Sequence, residues 1–216
     1  KQLISYLKYK PKVCFLSNYH KKNRSKLLYL FGEINLKWAV DKIFLDSTIS
    51  ENINNEIAVF TSRPDRNLKM LIDIWTRLVI PNNKKLQLLV TENNYEYFDK
   101  SIVSRVLGDQ RALIKDLQSA RMLIIPGHKA ELYCLAAEEA RELCIPIVTM
   151  GIGSLSERVI HGKTGFIAKN EHDFASYILK LFSDDSIWKL QREYLKKNRK
   201  INTWKKVAEE LVRQNF

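Results

Sequence analysis

Short apolar runs alternate with longer segments of helical spacing, and this alternation constrains the fold more than any other feature. The runs show little polar alternation, which is typical of parallel strands buried on both faces. Predicted strands cover residues 56–62, 86–91, 121–126, 145–150 and 165–168. Predicted helices cover residues 68–79, 113–120, 132–143 and 174–182. Strands that alternate with helices predict an α/β fold with a doubly wound parallel sheet.

The loops that follow the predicted strands are where a ligand site is expected, because open α/β sheets bind ligands outside the carboxyl ends of their strands. These loops follow Ser62, Thr91, Pro126 and Met150. Of the four histidines only His128 falls in such a loop. A role in facing a ligand and an ordinary surface position fit His128 equally well, since loops carry function but also cover surfaces.

Positive charge is concentrated at the start of the chain. The 216 residues carry a net charge of +12, and residues 1–45 contain ten Lys or Arg but two acids, a local excess of +8. A second basic run, "REYLKKNRK", spans Arg192–Lys200. Such surfaces suit anionic lipid or phosphorylated ligands, and a solvated basic surface explains each run equally well. Nucleic-acid binding is disfavoured, because no recognised module or aromatic–basic stacking pattern accompanies the charge.

The first 45 residues differ in pattern from the rest. They contain a predicted strand at Lys10–Ser17 and a predicted basic helix at Lys21–Gly32, which ends at a glycine stop. We expect residues 1–45 to be the end of an upstream domain with its connection, and residues 46–216 to form the α/β domain. Two basic amphipathic helices are expected after residue 185, the last with Thr203 as its N-cap.

Several classes of protein are disfavoured by what the sequence lacks. No apolar run is long enough for a transmembrane helix, and the first residues lack the features of a signal peptide. Three cysteines without a CxxC pair favour a reducing compartment, so we expect a cytoplasmic protein. "HGKTG" (His161–Gly165) lacks the first glycine of a P-loop, and "GIGSLS" (Gly151–Ser156) lacks the third glycine of a dinucleotide fingerprint. The histidines show no metal-ligand spacing.

Two carboxylates eight residues apart flank the start of the helix predicted at 132–143. Glu139 lies on the apolar face of this helix, whereas Glu138 lies on another face and is expected to be solvated. An inward-facing carboxylate needs partners, so Glu139 forms a salt bridge with an arginine, caps a loop or binds a ligand. Glu131 precedes the helix, about 12 Å from Glu139 along its axis.

The first helical turn lies between these carboxylates, at the carboxyl end of a strand. Its free amides, at Leu132 to Leu135, form a natural phosphate site. Carboxylates accept hydrogen bonds from hydroxyl groups. The order carboxylate, amides, carboxylate therefore matches the sugar hydroxyls, diphosphate and ribose hydroxyls of a nucleoside diphosphate sugar.

This region resembles the family 4 retaining glycosyltransferases of the GT-B fold. Their donor-binding domain carries the motif E-G-F-G-x-x-x-x-E-A, followed by G-x-P-V-V, where this chain reads "ELYCLAAEEA" and "CIPIV". The segments "SRPDRNLKMLIDIW", "VLGDQRALIKDLQSARMLIIPG" and "GSLSERVIHGKTGFIA" are similar to three further segments of the family. The match runs in order over about residues 56–182, and it implies the Rossmann-like C-terminal domain of a GT-B glycosyltransferase.

The resemblance implies a role for each candidate site residue. Glu131 would contact hydroxyls of the transferred sugar and Arg66 would neutralise the leaving diphosphate, so these two are the expected catalytic residues. The other expected donor-binding residues are Arg63 at the diphosphate, Leu132, Tyr133, Cys134 and Leu135 around the distal phosphate, Glu139 at the ribose, and Gln110 and Arg111 at the base. No metal or other cofactor is implied, because cationic side chains stabilise the departing charge.

The chain departs from the family pattern at several positions that bear on the donor site. Leu132 and Cys134 replace the two motif glycines, Asn67 replaces the glycine after the basic position, and Arg66 replaces the lysine there. An arginine keeps the charge but presents a planar fork. The bulkier Leu132 and Cys134 reduce the space expected beside the sugar and the diphosphate.

Two readings of the function remain open. In the first, the chain is the donor half of a retaining, metal-independent hexosyltransferase, weakly active or inactive without its N-terminal acceptor domain. Its acceptor would be a glycan or lipid-linked glycan, and the basic segment would touch the anionic inner face of a membrane. In the alternative, the chain is a non-catalytic nucleotide-sugar-binding or interaction module that needs a partner domain.

Overall fold

The structure, a computed structural model, describes residues 2–51, 53–91, 95–97, 99–105, 108–199 and 202–215. Its α-helices are α1 (Gln2–Tyr9), α2 (Asn18–Lys22), α3 (Lys42–Asp46), α4 (Leu68–Ile74), α5 (Gln110–Ser119), α6 (Leu135–Glu142), α7 (Glu171–Ser183), α8 (Asp185–Lys197) and α9 (Trp204–Asn215). Its strands are β1 (Val13–Phe15), β2 (Glu33–Asn35), β3 (Asn54–Phe60), β4 (Gln87–Val90), β5 (Ile102–Ser104), β6 (Ala120–Gly127), β7 (Ile147–Ile152) and β8 (Gly165–Ile167). Short 3-10 helices cover Lys26–Tyr29 and Gly153–Glu157, and a π-helical turn covers Trp75–Val79.

Six strands form one parallel sheet in the order β5-β4-β3-β6-β7-β8. Every neighbouring pair is parallel, and the predicted doubly wound α/β fold is confirmed. All eight residues of β6 are buried, which explains why its sequence shows no polar alternation. Strand β5 was not predicted, because its three residues are too few to establish a period.

The direction of winding changes between β3 and β6. From β3 the chain moves outward to β4 and β5, then returns to β6 beside β3 and continues to β7 and β8 on the other side. The loops that leave the carboxyl ends of β3 and β6 therefore diverge and open a crevice between them. Doubly wound sheets bind their ligands at such a switch point.

Residues 2–40 form a smaller unit around the parallel pair β1 and β2. The single helix predicted at Lys21–Gly32 is wrong, since the chain forms α2 and then a separate 3-10 helix that Ser25 caps through the amide of Leu27. The boundary proposed between residues 45 and 46 falls inside α3, whose Phe44 is fully buried in the core of the larger sheet.

The two helices expected at the end of the chain are present as α8 and α9. The side-chain oxygen of Thr203 accepts the amide of Lys206, so Thr203 caps α9 as predicted. The start of α8 is anchored by the buried Arg121 of β6, which bonds Asp185 and stacks 4.5 Å from the centre of the Trp188 ring. Lys200 of the second basic run lies outside the described residues. Among the helices described, none is long and apolar enough to cross a membrane.

Candidate donor-binding cleft

A cleft of about 710 Å³ opens at the carboxyl ends of β3 and β6. One wall follows β3 and the other runs from the loop after β6 into α6. The residues lining the cleft are Leu16, Trp38, Thr61, Ser62, Arg63, Arg66, Leu113, Ala130, Glu131, Leu132, Tyr133, Cys134, Leu135, Ala136 and Glu139. The cleft therefore occupies the switch point of the sheet, where the strand order predicts a ligand site.

Eight of the ten candidate site residues line this one cleft. They are Arg63, Arg66, Glu131, Leu132, Tyr133, Cys134, Leu135 and Glu139. Gln110 and Arg111 are exposed at the start of α5 and do not line it; Arg111 borders a separate depression with Ser50 and Lys115. Leu113 of the same helix does line the cleft. Residues 92–94 of the loop after Thr91, and Val106 and Leu107 of the segment before α5, lie outside the described residues.

Helix α6 begins three residues later than predicted, at Leu135. Cys134 is its N-cap and adopts the left-handed conformation, with φ of 64°, so the chain turns sharply before the helix starts. The amide of Cys134 donates to Glu131 Oε1 at 3.0 Å and is not open to a ligand. The first-turn amides of Leu135 and Ala136 have no acceptor within the helix and form the anion-attracting end of α6 on the cleft wall.

Glu139 projects from α6 into the cleft, one turn beyond these amides. Its side chain is half-buried, and desolvation raises the pKa of its carboxyl group from 4.5 to about 7. No hydrogen bond or ion pair to the side-chain carboxyl group of Glu139 occurs within the described part of the chain. The carboxylate therefore keeps its acceptor capacity for a ligand in the cleft.

Glu138 is not solvated, contrary to the sequence prediction. It is buried and accepts hydrogen bonds from Arg158 Nη1 at 2.9 Å and Arg141 Nη1 at 3.3 Å. The guanidinium of Arg158 also lies 4.2 Å from the centre of the Tyr133 ring. Arg158 follows the 3-10 helix at Gly153–Glu157, and it covers this face of α6 while supplying the counter-charge that a buried carboxylate needs.

The two arginines after β3 have different surroundings. Arg63 is exposed and its guanidinium pairs with Asp65 at 2.7 Å. Arg66 is half-buried, lines the cleft, and places Nη1 3.2 Å from His128 Nδ1. Cationic side chains and the positive end of α6 thus lie on opposite sides of the same opening, a suitable arrangement for a diphosphate.

Three residues adopt left-handed backbone conformations where the resembling family has glycine. They are Asn67, Cys134 and Cys144, with φ of 67°, 64° and 59°. Glycine adopts this conformation without steric cost, and asparagine tolerates it better than other residues. At these three positions the chain therefore has a backbone conformation that favours glycine, although the glycines are absent.

Leu16 and Trp38 line the cleft but were not identified from the sequence. They follow β1 and β2, and two hydrogen bonds join their unit to residues that line the cleft. Ser17 Oγ donates to the carbonyl of Leu132 at 2.6 Å, and the Tyr133 hydroxyl donates to the carbonyl of Trp38 at 2.6 Å. These contacts span about a hundred positions, so no local pattern could reveal them. Thr61 and Ser62 could have been found, since they end a predicted strand.

Solved structures with this architecture identify the class to which the fold belongs. A mutant of TarM from S. aureus, in complex with fondaparinux, alpha-GlcNAc-glycerol and UDP, superimposes with a TM-score of 0.71 at 16% identity, over 94% of this chain and 43% of that one. Sucrose-phosphate synthase (tll1590) from Thermosynechococcus elongatus superimposes with a TM-score of 0.71 at 15% identity, over 94% of this chain and 57% of that one. The C-terminal domain of a group 1 family glycosyl transferase (LpcC) from Francisella tularensis superimposes with a TM-score of 0.55 at 15% identity, over 68% of this chain and 86% of that one. The fold is the Rossmann-like fold of GT-B glycosyltransferases.

The family follows from the sequence itself. Residues 47–201 match the family described as "Glycosyl transferases group 1", and this chain belongs to that family. None of the curated proteins matches the sequence. The chain spans less than two thirds of the TarM and sucrose-phosphate synthase chains.

Proposed function

We propose that this chain is the donor-binding part of a glycosyltransferase that moves a hexose from a nucleoside diphosphate sugar to an acceptor with retention of configuration. The observation that carries the proposal is the cleft at the switch point, where a cationic wall faces a helix start between two carboxylates. Membership of the group 1 family supports the reaction class. The UDP bound to TarM, a protein of the same fold, supports the ligand class.

Each wall of the cleft has a distinct role in this proposal. The diphosphate binds between Arg66, assisted by Arg63, and the first-turn amides of α6. The Glu139 carboxylate accepts hydrogen bonds from the ribose hydroxyls at one end. Glu131 contacts the transferred sugar at the other end with the oxygen that the Cys134 amide does not occupy.

The chemical step requires stabilisation of the negative charge that develops on the departing diphosphate. Arg66 and the positive end of α6 supply it from fixed positions, with no need for a metal ion. No cluster of three or more metal-binding side chains occurs in the described part of the chain. Binding of the nucleobase by Gln110 and Arg111 stays a prediction, since these two residues lie outside the cleft that the other eight candidate residues line.

Direct titration tests donor binding. UDP, GDP and ADP are titrated into the chain by calorimetry, and one of them is expected to bind with a Kd between about 1 μM and 1 mM. Glu139→Ala is expected to weaken that binding at least about tenfold, because two hydroxyl contacts are lost. Glu209→Ala, an exposed glutamate on α9, serves as the matched control and should bind like the wild type. Absence of binding by every nucleoside diphosphate would contradict the proposal.

Leu132 favours a second candidate, a nucleotide-sugar-binding module without transferase activity. This side chain lines the cleft where the resembling family has glycine, and its carbonyl is held by Ser17. A crystal structure with the intact donor distinguishes the two functions. A sugar seated beside Glu131 supports the transferase, and a sugar displaced by the Leu132 side chain supports the non-catalytic module.

An N-terminal acceptor domain is the partner we propose for the small unit. Strands β1 and β2 form a sheet to which the described residues add no third strand, and two-stranded sheets are marginally stable alone. On the surface of this unit, Leu3, Ile4, Leu7, Leu27 and Leu30 are each 50–73% exposed. Further strands and helices of an acceptor domain would cover such a surface. Reconstitution with that domain should raise sugar transfer to a glycan or lipid-linked acceptor.

The charge of the same segment motivates membrane contact at the cytoplasmic face. Residues 1–32 contain eight Lys or Arg and no acid, and clustered basic residues bind anionic lipid. The chain should therefore co-sediment with phosphatidylglycerol vesicles at low salt and be released by salt, but should not co-sediment with phosphatidylcholine vesicles. Failure to bind the anionic vesicles at low salt would exclude this contact.

A further inference from the structure

The loops that follow β3 and β6 are joined by two side-chain contacts across the switch point. Asn67 Nδ2 donates to the carbonyl of Gly127, and Arg66 Nη1 contacts His128 Nδ1 at 3.2 Å. The backbone at His128 is closely packed, because a Cβ on Gly153 would lie 2.4 Å from the His128 carbonyl oxygen. The imidazole therefore projects toward Arg66 from a rigid part of the loop.

Two N–H groups converge on Nδ1 of His128. The amide of Ala130 lies 3.1 Å from it, and Arg66 Nη1 is the second donor. A backbone amide and a guanidinium can donate but cannot accept, so Nδ1 must present its lone pair. The ring proton is consequently on Nε2, and the imidazole in this arrangement is neutral.

A neutral acceptor has a particular effect on Arg66. The salt bridges within the described residues include Arg63 with Asp65 but none that involves Arg66. A carboxylate beside Arg66 would orient its guanidinium but also neutralise it, whereas the imidazole orients it and leaves the positive charge available to an anion. Among the described residues no other hydrogen bond to the Arg66 guanidinium occurs, so its remaining N–H groups can face the opening of the cleft.

We propose, on the basis of the donor site described above, that His128 is a positioning residue: through Nδ1 it holds the Arg66 guanidinium toward the diphosphate subsite without reducing its charge. His128 itself does not line the cleft and acts through Arg66. Asparagine can replace it in this role, because a side-chain carbonyl oxygen is also a neutral acceptor. Leucine removes the acceptor, and aspartate supplies an acceptor that neutralises Arg66.

Calorimetric titration with inorganic pyrophosphate and with UDP, GDP and ADP tests this role on the full chain. His128→Leu is expected to raise the Kd about tenfold, which is the effect of losing one hydrogen bond to a charged group. His128→Asn should stay within about threefold of the wild type, and His128→Asp should bind at least as weakly as His128→Leu. Circular dichroism and thermal unfolding establish that each variant is folded, so that weaker binding is not caused by unfolding.

A double-mutant cycle distinguishes positioning from a general structural effect. If His128 acts through Arg66, His128→Leu should change the pyrophosphate Kd less than about twofold in an Arg66→Ala background. An equal effect in both backgrounds, or a His128→Leu variant that binds like the wild type, would overturn the role of His128. A wild-type chain that binds neither pyrophosphate nor any nucleotide would also overturn it. A His128-dependent pyrophosphate site without nucleotide binding would support it while refuting the proposed donor function.

Discussion

At the scale of single residues, Glu139, a proposed ligand contact, lowers the stability of the folded chain. Its carboxyl group lies half-buried on the cleft wall, and desolvation raises its pKa from 4.5 to about 7. Below pH 4.5 the group is protonated in both folded and unfolded chains. Between pH 4.5 and 7 the unfolded chain releases the proton that the folded chain retains, so this residue lowers the stability as the pH rises.

Glu139→Gln is accordingly expected to stabilise the protein at alkaline pH. Glutamine cannot ionise, so at pH 8 the free energy of unfolding should exceed that of the wild type by about 3 kcal/mol, and at pH 4 the two should be nearly equal. Urea unfolding at both pH values measures the difference. The same variant should bind UDP more weakly, since the charged acceptor is lost. A pH-independent difference would show that desolvation of Glu139 is not its cause.

Cys144 is a second residue that lowers the stability of the folded chain, here through its own backbone conformation. It follows the end of α6 with φ of 59°, where the amide of Ile145 donates to the carbonyl of Ala140 at 2.9 Å and that of Cys144 to Arg141 at 3.1 Å. This pattern is the helix ending in which glycine is the preferred residue.

Cys144→Gly should therefore be more stable than Cys144→Ala, by about 0.5–1 kcal/mol in chemical denaturation. Both variants lose the buried thiol, so their difference reports mainly the left-handed conformation. The same pair of substitutions at Lys189, an exposed position inside α8, should reverse the order, with alanine more stable by about 1 kcal/mol. Equal stability of the two Cys144 variants would contradict a conformational cost at this position.

At the scale of elements, α6 is fixed by a buried ion pair on a face other than the one that carries Glu139. Glu138 and Arg158 are both buried and lie 2.9 Å apart. The pair connects α6 to the end of the 3-10 helix at Gly153–Glu157. Because α6 carries Glu139 and the first-turn amides, this connection sets the geometry of the cleft wall.

Removal of one partner should be more damaging than removal of both. Arg158→Met removes the arginine that lies nearest to the buried Glu138 carboxylate and is expected to lower the free energy of unfolding by about 3 kcal/mol. The double variant Glu138→Leu/Arg158→Met should recover most of this loss. Arg213→Met, on the exposed side of α9, is the control, and its free energy of unfolding should stay within about 0.5 kcal/mol of the wild-type value. A double variant less stable than Arg158→Met would show that the lost counter-charge of Glu138 is not the cause of the destabilisation.

At the scale of the whole molecule, the small unit around β1 and β2 is held against the larger sheet by Glu157. The Glu157 carboxylate accepts the amides of Asn18, at 3.0 Å, and Tyr19, the first two residues of α2. Ser17 Oγ accepts the third amide, from His20. A carboxylate from the larger domain thus completes the cap of a helix in the smaller unit.

Glu157→Ala should loosen this connection without unfolding the larger sheet. Hydrogen exchange at the amides of Asn18 and Tyr19 is expected to accelerate about fivefold, which corresponds to about 1 kcal/mol of lost capping. The amides of β6 should exchange as in the wild type. Glu209→Ala again provides the control. Unchanged exchange at α2 would show that Glu157 does not hold the small unit in place.

Local pattern by itself determined five of the six strands described in the larger sheet, the helices that alternate with them, and the edge of the sheet at which the cleft opens. A parallel strand that is buried on both faces consists almost entirely of apolar residues, so its own sequence reveals it. Open parallel sheets bind their ligands at the carboxyl ends of the strands, so the strand pattern also predicts where the cleft lies. The resemblance to the glycosyltransferase motifs supplied ten candidate residues, and eight of them line that cleft.

Only the tertiary structure decided which of two adjacent glutamates is ion-paired, where α6 begins, and that Trp38 and Leu16 line the cleft. The sequence shows which residues share a helix face, but not what covers that face. The partner of Glu138 lies twenty positions away and that of Tyr133 ninety-five. Long-range packing therefore brings Arg158 to Glu138 as its counter-charge, whereas the neighbouring carboxylate of Glu139 faces the cleft.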